Sequence, residues 1–318
     1  MIPAPPVERL ALPTLPGTSA RSGFPLVATL APVAVALVLW GVTQSPYSLL
    51  FALLGPVVAI GGVVDAGLSR RRGSRREVER FRVALGRLRE RIAAEHDRER
   101  RRRDLLAPAS LVTMRRADGA TPAGWDIAVD AALPVRAATG RLASPVTVSG
   151  DEPEDASAEL RADIEAVRAA AADFDGAALV VDARDGVGIV GPAVASRALA
   201  RCLAVQVAAQ LSPVVTTLSA PSDELAWMSG LPHEVRVVEG SAFRFIGVEA
   251  STVLIAWADD VATLPLGCAA ILQLDDGAAA LVRHPAGEHA TGLLPFAASS
   301  ARARQSAERL RWECCSFG

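Results

Sequence analysis

Three short stretches of this 318-residue chain carry residue types that handle phosphate or magnesium in other proteins. The first is Gly186-Val-Gly188-Ile-Val-Gly191, which fits the dinucleotide fingerprint as a string. That fingerprint needs its first glycine after a finished strand, so that the chain can turn onto a helix N-terminus. Here Val187–Val190 reads as the strand itself, threaded between the glycines, and the context argues against a dinucleotide site. Gly186 and Gly191 also have the spacing of a phosphate loop, but Pro192 and Ala193 occupy its lysine and hydroxyl positions. The lysine neutralises the β and γ phosphates, and the hydroxyl holds magnesium. All 33 basic residues are arginine, so a standard phosphate loop cannot be assembled. A guanidinium supplies the charge but fits poorly in a cradle shaped for a compact ammonium. Gly191, Pro192 and Ala193 therefore read as a degenerate nucleotide position, with no cofactor, metal or catalytic residue assigned.

The other two stretches are apolar runs that end in acid pairs. Val253–Trp257 precedes Asp259-Asp260, and Ile271–Leu274 precedes Asp275-Asp276-Gly277. Each resembles a magnesium-binding strand end, although Asp276-Gly277 followed by another strand is better explained as a hairpin turn. Cys202, Cys268, Cys314 and Cys315 show no metal-ligand spacing with His96, His233, His284 or His289.

The elements that would position these residues begin with an α/β pattern. Ala178–Val181, a turn at Arg184-Asp185-Gly186 and Val187–Val190 predict a hairpin, and Pro192–Leu211 predicts a helix. Further strands are predicted at Val214–Leu218, Val235–Val238, Phe243–Val248, Val253–Trp257, Ala270–Leu274 and Ala278–Val282, before a closing helix at Ser300–Trp312. This alternation suggests a mainly parallel sheet. Upstream, Leu111–Val148 reads as a few short strands, and Ala156–Ala172 as an alanine-rich helix.

The N-terminal third is different. Phe24–Leu68 has no ionisable residue until Asp65, and Arg70-Arg71-Arg72 closes it. Its halves, Pro25–Val42 and Tyr47–Val64, are each long enough to cross about 30 Å of hydrocarbon as a helix. They read as a membrane hairpin with Trp40 and Tyr47 at the outer interface and Arg70, Arg71 and Arg72 at the inner one. Both termini would then lie in the cytoplasm of a two-pass inner-membrane protein. Val78, Phe81, Leu85, Leu88 and Ile92, spaced 3, 4, 3 and 4, predict a helical stalk with one narrow apolar seam for docking a partner. Arg98–Arg103 then reads as a positive run on anionic lipid. Nucleic acid is the less favoured partner, because no aromatic residues are interleaved to stack bases.

The order of parts resembles the N-terminal, membrane-proximal region of FtsK/SpoIIIE-type ATPases of type VII secretion systems (the EccC/EssC group). Pro46–Phe51, Gly191–Gln206, Glu224-Leu-Ala-Trp227 with Leu231-Pro232-His233, and Val253–Pro265 with Cys268–Asp276 are similar to segments of that family. The resemblance implies a bacterial, hexamer-forming secretion machine whose membrane-proximal domain commonly has a degenerate nucleotide site. The tandem ATPase domains of the family have no counterpart here. The expected fold is a membrane α-helical hairpin plus helical stalk, then a small β module and an α/β, degenerate P-loop-NTPase-like cytoplasmic domain. The expected boundaries are a disordered leader over 1–23, the hairpin over 24–68 and the stalk over 69–107. The β module follows over 108–150, an acidic linker and helix over 151–174, and the α/β domain over 175–318. The expected function is a non-catalytic membrane-anchoring and assembly component of a type VII-like secretion ATPase. Its partners would be copies of itself, a separate ATPase or other membrane subunits. An ATP-binding motor fragment and a DNA-associated FtsK-like membrane protein are the alternatives.

Overall fold

Strand β5 (Val187–Val190) runs through the middle of a ten-stranded mixed sheet, hydrogen-bonded in parallel on both sides. The computed structural model describes residues 7–14, 41, 48–108, 132–151, 157–247 and 251–315. The chain opens with β1 (Glu8–Ala11), α1 (Ser48–Leu106), β2 (Pro134–Ala143), β3 (Val146–Ser149), α2 (Ala158–Ala172) and β4 (Asp173–Asp182). After β5 come α3 (Ala193–Ala208), β6 (Thr217–Ala220), α4 (Leu225–Met228), β7 (Glu234–Val237) and β8 (Ala242–Ile246). It closes with β9 (Thr252–Ala258), β10 (Ala270–Asp275), β11 (Ala278–Arg283), β12 (Ala290–Pro295) and α5 (Ser300–Cys315). Two compact units are formed. One comprises Met1–Arg9, Ile92–Thr147 and Arg168–Gly318, and the other Leu10–Arg91 and Val148–Val167.

The sheet order in the first unit is β4-β2-β12-β11-β10-β5-β9-β8-β6-β7. Only β10-β5-β9 and β6-β7 are parallel, so the expected mainly parallel sheet is corrected to a mixed one. The expected hairpin of β4 and β5 is corrected too. β4 is an end strand, and Ala183–Asp185 with Gly186 (φ 73°) carries the chain away from it to the centre. A Cβ on Gly186 would sit 1.9 Å from the carbonyl oxygen of Gly267, so only glycine admits this approach. Among the described residues the expected β module over 108–150 is not separate. β2 lies inside the large sheet between β12 and β4, while β3 pairs with β1, a strand within the segment expected to be a disordered leader. Alternate residues of β5, β9 and β10 (Val187 and Ile189, Ile255 and Trp257, Leu272 and Leu274) join Leu199, Leu203 and Val207 of α3 in one buried core.

The membrane hairpin is overturned. Among the described residues no helix is long and apolar enough to cross a membrane. The second apolar run does not form a span of its own. It belongs to the 59-residue helix α1, which continues unbroken through Arg70, Arg71 and Arg72 into the charged segment. The two-pass placement with both termini in the cytoplasm falls with the hairpin. Trp40, Tyr47 and most of the first run lie outside the described residues, as do residues 111–131 of the segment expected to hold short strands.

In the second unit the stalk seam is turned inward. Phe81, Leu85 and Leu88 are buried, as are Leu160, Ile164 and Val167 of α2, while Val78 is half-buried. The Arg82 guanidinium ties the two helices side by side by pairing with Glu159 at 3.0 Å and Asp163 at 3.5 Å. Ile92 of the first unit is buried as well. The seam predicted to dock a partner is thus covered by the chain's own fold. Truncation of a fully buried leucine removes transfer energy and leaves a cavity, so Leu85→Ala should cost about 2–5 kcal/mol. A urea melt checks this, and an unchanged midpoint would mean that the seam is not core.

Candidate functional site

The sequence-predicted nucleotide position lies at the carboxyl edge of the parallel trio β10-β5-β9, where open α/β sheets place their ligands. β5 ends at Val190, and Gly191 and Pro192 lead directly into α3. Gly191 adopts φ 142°, and its N–H donates to the carbonyl oxygen of Ala258 at 3.1 Å. A Cβ there would lie 2.5 Å from the carbonyl oxygen of Leu274. This glycine is required because the ends of β9 and β10 crowd it, and its N–H is already spent. Pro192 has no N–H to offer, and no side chain caps the helix. A phosphate cradle needs several free backbone N–H groups converging from a loop, and this two-residue turn has no such loop.

The two arginines of α3 are committed elsewhere. Arg201 forks onto the Glu224 carboxylate at 2.6 and 2.7 Å, and Arg197 pairs with Asp223. Glu224 is buried and also accepts from Trp227 Nε1 at 2.6 Å. Trp227 meets the Phe243 ring edge-on at 5.8 Å, and Phe243 packs against Trp257. His233 is buried and binds the carbonyl of Leu211 at 3.0 Å. The tryptophan and Leu-Pro-His segments are therefore core and corner pieces in this fold.

The acid pairs do not converge on a metal centre. Asp260 caps the turn after β9 by accepting from the N–H of Ala262 at 2.9 Å. Asp276 (φ 44°) and Gly277 (φ 81°) form the β10–β11 turn, as the hairpin reading requires. Among the described residues no three His, Cys, Asp or Glu side chains are placed to hold an ion. Burial pushes the Cys202 thiol up to about 12 and raises that of Cys268, so both stay protonated at neutral pH.

The second half of α1 holds a polar cluster that sequence reasoning missed. The seam was read as ending at Ile92, yet the buried face continues through His96, Glu99, Arg103 and Ala107, still at helical spacing. Glu99 accepts from both Arg102 and Arg103 at 2.7 Å. Arg98 pairs with Glu95 and Arg100 with Asp97. Arg100 Nε donates to the carbonyl of Asp175 at 2.9 Å, and Arg103 Nη1 to that of Ala178 at 3.3 Å. Both carbonyls belong to the end strand β4. His96 stacks on Phe174 of the same strand with centroids 5.0 Å apart and shares a 2.9 Å hydrogen bond with Ser144 Oγ. Two of the run's five guanidinium groups, Arg100 and Arg103, thus lie along a sheet edge. The signal lay in the 3–4 spacing persisting across a change of residue type.

Gln206, on α3, does similar work at the bulge in β2. Its side-chain amide accepts from the N–H of Arg136 at 2.8 Å and donates to the carbonyl of the same residue at 3.0 Å.

No model of a known protein family matches the chain, and no curated protein matches it.

The two buried histidines give the fold a pH dependence. Burial holds both below their ordinary pKa, and Arg100 adds to the effect on His96. A depressed folded-state pKa means that the unfolded chain takes up protons first. Their stabilisation is therefore complete above about pH 6.5 and is lost as the pH falls below it. Thermal melts between pH 8 and pH 5 should show this decline, with a shallower slope for His96→Asn combined with His233→Asn.

Proposed function

We propose that this chain is a non-catalytic assembly component of a type VII-like protein-secretion ATPase, whose α/β unit retains a nucleotide-type strand–turn–helix as a docking scaffold. The observation that carries the reading is Gly191. It follows the central parallel strand, where an ATPase would bind phosphate, but its N–H is taken by Ala258 and proline follows it. A βα turn of this kind preserves the geometry of the sheet without presenting donors to a phosphate. The chain would join the motor domains or further copies of itself. The rival is ATP binding at the α3 N-terminus, where Val194 is 83% exposed and helix N-termini carry N–H groups without an intrahelical partner.

Two measurements separate these readings. Co-expression with a Walker-motif ATPase of this secretion type should yield a defined complex by mass photometry, and titration of the purified chain with MgATP should release no binding heat. Failure to form any assembly removes the scaffold reading. Magnesium-dependent ATP binding that disappears in Val194→Asp would establish the nucleotide reading instead.

A further inference from the structure

The ten-stranded sheet ends differently at its two edges. β4 receives hydrogen bonds from Arg100 and Arg103 of α1, whereas β7 pairs only with β6, in parallel, and among the described residues no strand lies on its other side. The side chains of β7 are open to solvent: Glu234 is 63% exposed, Arg236 65% and Val237 58%. The Val238 N–H donates to the carbonyl oxygen of Ala220 at the end of β6 at 2.9 Å. Main-chain groups alternate in direction along a strand, so those of Val235 and Val237 point away from β6. An edge of this kind is a template for another strand.

The charges on β7 say which strand fits. Glu234 and Arg236 share one face of the sheet, where Arg236 Nε donates to Glu234 Oε1 at 3.0 Å, and Val235 on the other face packs against the core. Glu-Val-Arg is therefore complementary in charge to its own reversed copy. A second copy laid antiparallel about Val235 puts Glu234 opposite Arg236 twice and lets the two Val235 residues exchange main-chain hydrogen bonds. Glu234 and Arg236 then form the non-hydrogen-bonded pairs, in which facing side chains come closest. No neighbouring register does as well. A slide of two residues, the smallest that keeps the faces matched, sets Arg236 against Arg236 in one direction and Glu234 against Glu234 in the other.

We propose that two copies of this chain join edge to edge through β7, antiparallel about Val235, so that their sheets become continuous. The inference deepens the assembly role proposed above and rests on it, since it names one contact between copies. Sedimentation velocity of the full-length chain over a concentration series should show a monomer–dimer equilibrium. Arg236→Glu or Glu234→Arg alone sets like charges opposite each other and should raise the dimer dissociation constant by at least about tenfold. An equimolar mixture of the two variants should regain the dimer, because each supplies the charge that the other needs. The double variant Glu234→Arg with Arg236→Glu should regain it alone. Both positions are exposed, so melting temperatures should stay unchanged. A chain that remains monomeric at about 1 mM would overturn the assignment. So would self-association that the single variants leave intact, or that the mixture fails to restore. Complex formation with the ATPase, read separately by mass photometry, would still be seen if only this contact were wrong.

Discussion

Everything in the larger unit is arranged around four residues, Val187–Val190, held in parallel between β9 and β10. Such a strand needs its neighbours close at both ends, and this chain meets that need with glycine at each. At Gly186 the carbonyl of Gly267, and at Gly191 that of Leu274, come nearer than any Cβ would permit. The same closeness that makes the centre of the sheet dense removes the space in which a phosphate loop would form. Packing and nucleotide binding compete here for one stretch of backbone, and packing has taken it.

That competition explains why the residues were easy to notice and hard to interpret. Gly-x-Gly-x-x-Gly announces close backbone approach, but it does not say whether the approaching group is a ligand or a strand. The lack of lysine already argued against a phosphate loop, and the Ala258 and Leu274 carbonyls show what stands near Gly191 instead. The α3 helix, the β10–β11 turn at Asp276-Gly277 and strands near β7 to β11 were legible because each has a local cause. The partners of β4 and β5 were not. Four other strands separate β4 from β5 in the sheet, and strand order depends on contacts far apart in sequence.

The N-terminal third misled for a related reason. An apolar run followed by arginines looks the same whether the helix leaves a bilayer or continues along protein. What decides against the hairpin is that no described helix is long and apolar enough to cross a membrane; farther along α1, Phe81, Leu85 and Leu88, which α2 helps to cover, and His96, Glu99 and Arg103 are buried. The Arg98–Arg103 run reads from sequence as a positive run for anionic lipid, because burial of arginine is rare. Glu99 makes it possible here by accepting from two guanidinium groups at once.

The seal along β4 has a practical corollary. β4 is ten residues long, and its Ala177–Val181 stretch has neither charge nor proline to discourage another strand from adding to it. Among the described residues, Arg100, Arg103 and the stacked His96 imidazole lie against that border. A fragment cut to begin at Leu133, the natural choice for someone isolating the sheet, would discard them and leave bare main chain ready to zip onto its own copies. The boundary at which this protein can be divided is therefore set by its basic helix, well upstream of the first strand of the sheet.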